Sequence, residues 1–162
     1  MRVIALLACT SAGAAARAAS VTASVSASNV KPLIIAKLTD LDLGSVTLGP
    51  GAWTNATISI SQAGALGCAN TNLTCTGATS AASYNVQGSN QQVVNISAPN
   101  VTLVNQNDPT KTLTLTTDAP PSLTLANSGF PGTNFSIGGS VTVDSTTAAG
   151  TYVGTFNVTV DY

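Results

Sequence analysis

The feature that most constrains this chain is a side-chain alternation of period two that recurs along its length and is longest near its end. From Thr151 onward, Tyr152, Gly154, Phe156, Val158, Val160 and Tyr162 share one parity. Val153, Thr155, Asn157, Thr159 and Asp161 share the other. Successive side chains of a strand point to opposite faces, so this split is that of a strand with one face in a core and one in water. Shorter runs that mostly set an aliphatic residue against Ser or Thr predict further strands over Val21 to Ala27, Leu33 to Leu38, Ser45 to Leu48, Thr57 to Ser61, Ser83 to Gln87, Val93 to Ser97, Val101 to Val104, Thr112 to Thr116, Ser122 to Leu125, Phe135 to Ile137 and Val141 to Val143.

Turn clusters punctuate these runs, among them Gly49-Pro50-Gly51, Gly88-Ser89-Asn90, Asn105-Gln106-Asn107-Asp108-Pro109, Ala119-Pro120-Pro121, Gly129-Phe130-Pro131-Gly132 and Ala148-Ala149-Gly150. No segment of helical length carries a 3.6-residue period. Short strands at close turn spacing predict an all-β chain folded as a single antiparallel, Ig-like β-sandwich. The stretch from Gln62 to Ala82, rich in Ala, Gly and Cys, lacks a clear period and reads as a long loop.

Charge is scarce, 7% of residues, while mean hydropathy is +0.32. The surface is therefore built of Ser, Thr, Asn and Gln, and the balance is unlike that of disordered chains, which combine low hydrophobicity with high charge. Residues 1–18 read as a removed signal peptide: Arg2 precedes a short apolar run, and Ala16-Arg17-Ala18 offers small residues at the −3 and −1 positions of a cleavage site. Leu6-Leu7-Ala8-Cys9 is superficially like a lipoprotein box but leaves too little apolar sequence before it. Residues 19–32 then form an N-terminal extension and 33–162 one domain. Cleavage leaves Lys31, Lys37 and Lys111 against six Asp, so three minus six gives a formal −3. Such a chain offers no clustered cations for nucleic acid. No later segment reaches the ~20 apolar residues that span a bilayer. The expected localisation is secreted, through a periplasm to the surface or exterior of a Gram-negative cell.

Cleavage also leaves only Cys68 and Cys75. In an exported chain a close pair predicts a disulfide closing a small loop, and no cationic neighbour marks either thiol for redox chemistry. Catalysis has little to draw on. The chain has no His and no Glu, which removes histidine-based mechanisms and zinc sites of the usual donor set, and no Gly-x-Ser-x-Gly elbow is present. Asp40 and Asp42 share one side of a strand, a pattern that fits either a cation site or two solvated charges guarding an edge. We therefore expect no enzymatic activity, no catalytic residues, no metal and no cofactor. Trp53, after the Pro50-Gly51 turn, is the candidate ligand contact, with a plug over the core as the alternative. Six Asn-x-Ser/Thr sequons, beginning at Asn55, Asn72, Asn95, Asn100, Asn134 and Asn157, fit a composition rich in those residues.

Several motifs carry a family resemblance. Asp40-Leu41-Asp42-Leu43-Gly44 followed by Ser45-Val46, Ser80 to Gly88 with Tyr84 at its centre, Ile137-Gly138-Gly139-Ser140-Val141-Thr142-Val143, and the closing run from Ala148 to Tyr162 resemble the domain-of-unknown-function family 4402 of Gram-negative envelope proteins. Leu43 stands where the family often has Phe. The layout is also similar, more distantly, to subunits of archaic chaperone–usher pili of the spore-coat protein U type. That likeness implies a pilin-like sandwich, a homopolymer of identical subunits, and a periplasmic chaperone and outer-membrane usher as partners.

Two segments are candidates for assembly. From Ala19 to Ser28 the chain alternates almost without exception, with Ala19, Val21, Ala23, Val25 and Ala27 on one side and Ser or Thr on the other. Such a strand of about 33 Å is suited to adding to the edge of another sheet, with Val21, Ala23, Val25 and Ala27 as the donor residues. It suits equally the first strand of its own sandwich. Pro32, which biases Lys31 toward extended geometry and lacks a donor, marks where the segment departs. Tyr152, Phe156, Val158, Val160 and Tyr162 are expected to fill the core and to offer a chaperone an apolar strand. The function expected is that of a structural subunit of a pilus or surface filament assembled by N-terminal donor-strand addition. The alternative is a monomeric secreted envelope module, for instance one that binds glycans.

Overall fold

A computed structural model describes residues 22–27 and 29–162; the signal-peptide reading over 1–18 and the donor residue Val21 lie outside them. Every regular element among the described residues is a strand, and every ladder is antiparallel. The long sheet is organised around one strand, β11 (Thr133–Val143). Its first half pairs with β6 (Ala82–Gln87), which pairs in turn with the edge strand β1 (Ile34–Thr39). The second half of β11 lies between β3 (Ala56–Ile60) and β9 (Thr112–Asp118). Beyond β9 come β8 (Val101–Asn105) and β12 (Tyr152–Val153); β4 (Leu66–Gly67) hangs on β3.

Two smaller sheets cover this one. A three-stranded sheet of β10 (Ser122–Thr124), β7 (Val93–Ser97) and β13 (Thr159–Asp161) faces β6 and the first half of β11. The core between them holds Val86, Val94, Ile96, Leu125, Phe135 and Ile137, with the Tyr84 and Phe135 rings stacked at 5.4 Å. A hairpin-like pair, β2 (Ser45–Leu48) with β5 (Leu73–Thr76), covers the other half, over Ile58, Leu115, Val141 and Val143. Leu41 and Phe156 touch both cores and join them. The sandwich expected from the alternation is thus present, and the inward parity of β6, Ala82, Tyr84 and Val86, is the buried one.

Four local expectations need correction. Phe135 to Ile137 and Val141 to Val143 are one eleven-residue strand, because Gly138 and Gly139 continue the ladder instead of breaking it. A Cβ at Gly139 would stand 2.9 Å from Leu115 Cδ1 and 3.1 Å from the Thr116 carbonyl, so these glycines mark close backbone approach. Gln62 to Ala82 is not simply a loop: it contains β4 and β5, whose pairing with β3 and β2 supplies order that the local pattern lacks. The closing strand is two short ladders, β12 on β8 and β13 on β7, with residues 154–158 in neither. It changes sheets midway, and Gly154 permits this because a Cβ there would meet the Thr102 carbonyl at 2.8 Å. Finally, the alternating leader pairs with nothing over residues 22–27, all of which are exposed, Val25 at 93%.

Candidate functional site

A groove of about 1100 Å³ runs between two stretches of chain. One wall is the chain from Asp40 through β2 to Leu48. The other is the chain from Thr147 through β12 to Phe156. Its floor is apolar: Ile58, Leu103, Leu113, Leu115, Val141 and Val143. Both walls have a free edge, since β2 pairs only with β5, β12 only with β8, and residues 154–158 join no ladder. Unpaired strand edges hold open donors and acceptors, and proteins ordinarily cover or blunt them.

β1 adds to the opening. Register pairs Ile35 with Val86 and Lys37 with Tyr84, so Ile35 and Lys37 point to the same side as two core residues. Val86 is fully buried while Ile35 is 40% exposed. The inner face of β1 therefore lacks the layer that covers its neighbour. Lys37 and Asp40 stand at this part of the groove with Nζ and Oδ1 2.6 Å apart, and that hydrogen bond raises the lysine pKa above its ordinary value. Burial pushes the Tyr84 hydroxyl in the same direction.

Tyr162, after β13, donates its hydroxyl to the Lys31 carbonyl oxygen at 2.6 Å, tying the chain after β13 to the chain before β1. The start of the second wall is bordered by the loops 105–111 and 144–151. Asn105, 1% exposed, binds them together: its Nδ2 donates to the Ala149 carbonyl at 3.0 Å, and its Oδ1 accepts from the Asn107 and Asp108 amides. Gly150 sits against that amide with no room for a Cβ.

The residues singled out by sequence fall around this groove in different ways. Tyr152 and Phe156 line it; Phe156, Val158 and Val160 are half-buried and pack on the first core. Tyr162 contributes through its hydroxyl more than through burial. Cys68 and Cys75 form the expected disulfide. It links the segment after β4 to β5, and so fastens the β2–β5 pair, which carries one wall, to the long sheet. Trp53 is half-buried against the second core, and its indole N–H donates to the Gly49 carbonyl at 3.1 Å. Asp40 is paired with Lys37, Asp42 Oδ1 accepts from the Gly44 amide, and no cluster of three metal-ligating side chains occurs among the described residues. What sequence reasoning missed is the groove itself. No local signal reports that an edge will be left without a neighbour.

Fold and groove together define an antiparallel β-sandwich with two unpaired edges beside a shared apolar floor. A family model described as Domain of unknown function (DUF4402) matches residues 33–162, and the chain belongs to that family. No curated protein and no solved structure matches it. No helix among the described residues is long and apolar enough to cross a membrane.

Proposed function

We propose that this protein is a structural subunit of an extracellular pilus or surface filament, in which residues 19–28 of one copy enter the groove of another. The observation that carries this reading is the coexistence, in one chain, of an apolar groove between two unpaired edges and an alternating segment that is exposed and unpaired over residues 22–27. The ten-residue segment would extend about 33 Å as a strand. Its small apolar side chains suit a narrow cleft. Burial of Val21 and Val25 would contribute roughly 1.5–3 kcal/mol each, and each ladder hydrogen bond about 0.5–1.5 kcal/mol. Strand addition of this kind draws affinity from backbone pairing and specificity from alternate side chains.

An open groove of this character needs temporary cover during export. A periplasmic chaperone that lends a strand, and an outer-membrane usher where the strand is exchanged, are the partners that the pilin resemblance supplies. The test is electron microscopy of secreted material from the full chain and from a chain lacking residues 19–28. Filaments from the first and soluble monomers from the second are expected. Normal filaments from the truncated chain would falsify the reading.

A further inference from the structure

Tyr84 is 8% exposed and its ring is stacked on Phe135 in the first core, yet it also lines the groove. Its hydroxyl makes no hydrogen bond to any described residue, and the charges that act on it are those of Lys37 and Asp40. No sealed side-chain polar atom among the described residues is left unsatisfied, so this oxygen opens into the groove and not into closed core. A phenol fixed by its ring can both donate and accept at its oxygen. Covered by an incoming segment, it needs a polar partner there, because a buried polar group without one is costly.

Charge names that partner. The groove lining carries one cation, Lys37, and two anions, Asp40 and Asp42. Lys37 Nζ occupies Asp40 Oδ1 at 2.6 Å, which leaves Oδ2 of Asp40 without a partner among the described residues. The segment that the filament reading seats in this groove, Ala19 to Ser28, has no charged side chain. Once residues 1–18 are removed, its single charge is the α-ammonium of Ala19, protonated at neutral pH and, like a lysine ammonium, able to donate three hydrogen bonds. The apolar floor offers that charge nothing, and covering it unpaired would be costly. Asp40 and the Tyr84 oxygen, on a lining with one more anion than cation, offer it acceptors.

We propose that Tyr84 Oη and the open oxygen of Asp40 receive the α-ammonium of Ala19 of the donating copy, so that the inserted segment is placed by its first residue. The inference rests on the filament reading and deepens it by naming what sets the register. Ala and Val alternate with Ser and Thr throughout the segment, so a slip of two residues returns the same kind of side chain to the floor. Alternation fixes which face points inward and leaves the register open. A terminal charge bound at one point removes that freedom.

Two synthetic peptides of residues 19–28, both amidated at the last residue and differing only in a free or an acetylated α-amine, test it by calorimetric titration into the chain lacking its own leader. Residues 22–27 pair with nothing, so that chain keeps its sheets and cores. The free amine should bind about tenfold or more tightly than the acetylated one, the scale of a hydrogen bond to a charged group. Tyr84→Phe, and separately Asp40→Asn, should abolish the difference. Because the hydroxyl has no partner in the unoccupied groove, Tyr84→Phe should leave the denaturant midpoint unchanged, which a purely structural role would not. Asp118→Asn removes a carboxylate outside the groove lining, one that accepts from Gln62, and should preserve the preference. Equal binding of the two peptides, or a preference that survives Tyr84→Phe, overturns the capture of the ammonium while leaving strand donation standing. If neither peptide binds, the filament reading falls with it.

Discussion

Tyr162 and Lys31 are 131 positions apart in the chain, and they are in direct contact: the tyrosine hydroxyl donates to the lysine carbonyl at 2.6 Å and accepts from the Ser89 amide at 2.9 Å. One side chain thereby ties β13, the start of β1 and the 88–92 turn together. Tyr162→Phe keeps the ring and removes both bonds. A loss of about 1–2 kcal/mol is expected from two partly exposed hydrogen bonds, read as a lower denaturant midpoint with an unchanged slope.

Val25 is 93% exposed and contacts no core. Val25→Asp should leave monomer stability within about 0.5 kcal/mol, as surface substitutions do, yet prevent filament formation because a carboxylate has no partner on the apolar floor. Equilibrium unfolding together with electron microscopy separates the two effects. Filaments of normal yield would count against the groove as the site of strand addition.

The disulfide closes a loop of sequence separation 7 and clips the β2–β5 wall to the long sheet. Replacing Cys68 and Cys75 by Ala should cost about 2.5 kcal/mol on the loop-entropy account. It should also weaken capture of a synthetic peptide of residues 19–28 more than Tyr162→Phe does, since it frees a wall. Calorimetric titration of that peptide into the chain lacking its own leader measures this.

Asn105 is a buried amide with three backbone partners. Asn105→Ala leaves the Ala149 carbonyl and two amides without it, at about 1–3 kcal/mol, and should raise hydrogen exchange in both rim loops at once. Exchange rising in only one of them would show that the loops are not coupled through this residue.

Those rim loops also carry two carboxylates whose pKa is held down by hydrogen bonds. Hydrogen bonds from the side chain and backbone of Thr110 hold Asp108 below the ordinary carboxylate value of 3.8, and Thr146, with Thr147, does the same for Asp144. A depressed folded-state pKa contributes stability that is present above the unfolded value and is lost as pH falls through the folded one. Amide exchange at 108–110 and 144–147 should therefore be flat from pH 8 to 5, after correction for intrinsic rates, and rise below about pH 4. Loosening that began near neutral pH would contradict this assignment.

Much of the fold was legible because a strand's two faces are written in consecutive residues. Val93 to Ser97 and Ser45 to Leu48 occupy the spans their alternation predicts, and Tyr84 and Val86 are the buried parity of the strand expected over Ser83 to Gln87. Legibility failed where pairing is non-local. Leu73 to Thr76 has too short a pattern to announce a strand, and becomes one because β2 lies beside it. Gly138 and Gly139 look like a break, yet they continue β11, where the Ile60 and Thr116 carbonyls approach them closely. Of the candidate site, the leader and the closing strand were readable as alternating segments. The free edges that give them a purpose were not.

The sequence by itself determined an antiparallel sandwich, a disulfide and the residues that face its cores, since each follows from side-chain chemistry at neighbouring positions. Only the tertiary structure decided that β2 and residues 154–158 end without partners across a shared apolar floor. The physical reason is that a strand's alternation records what lies above and below it, whereas the neighbour in its own sheet is bound through backbone groups that every residue shares.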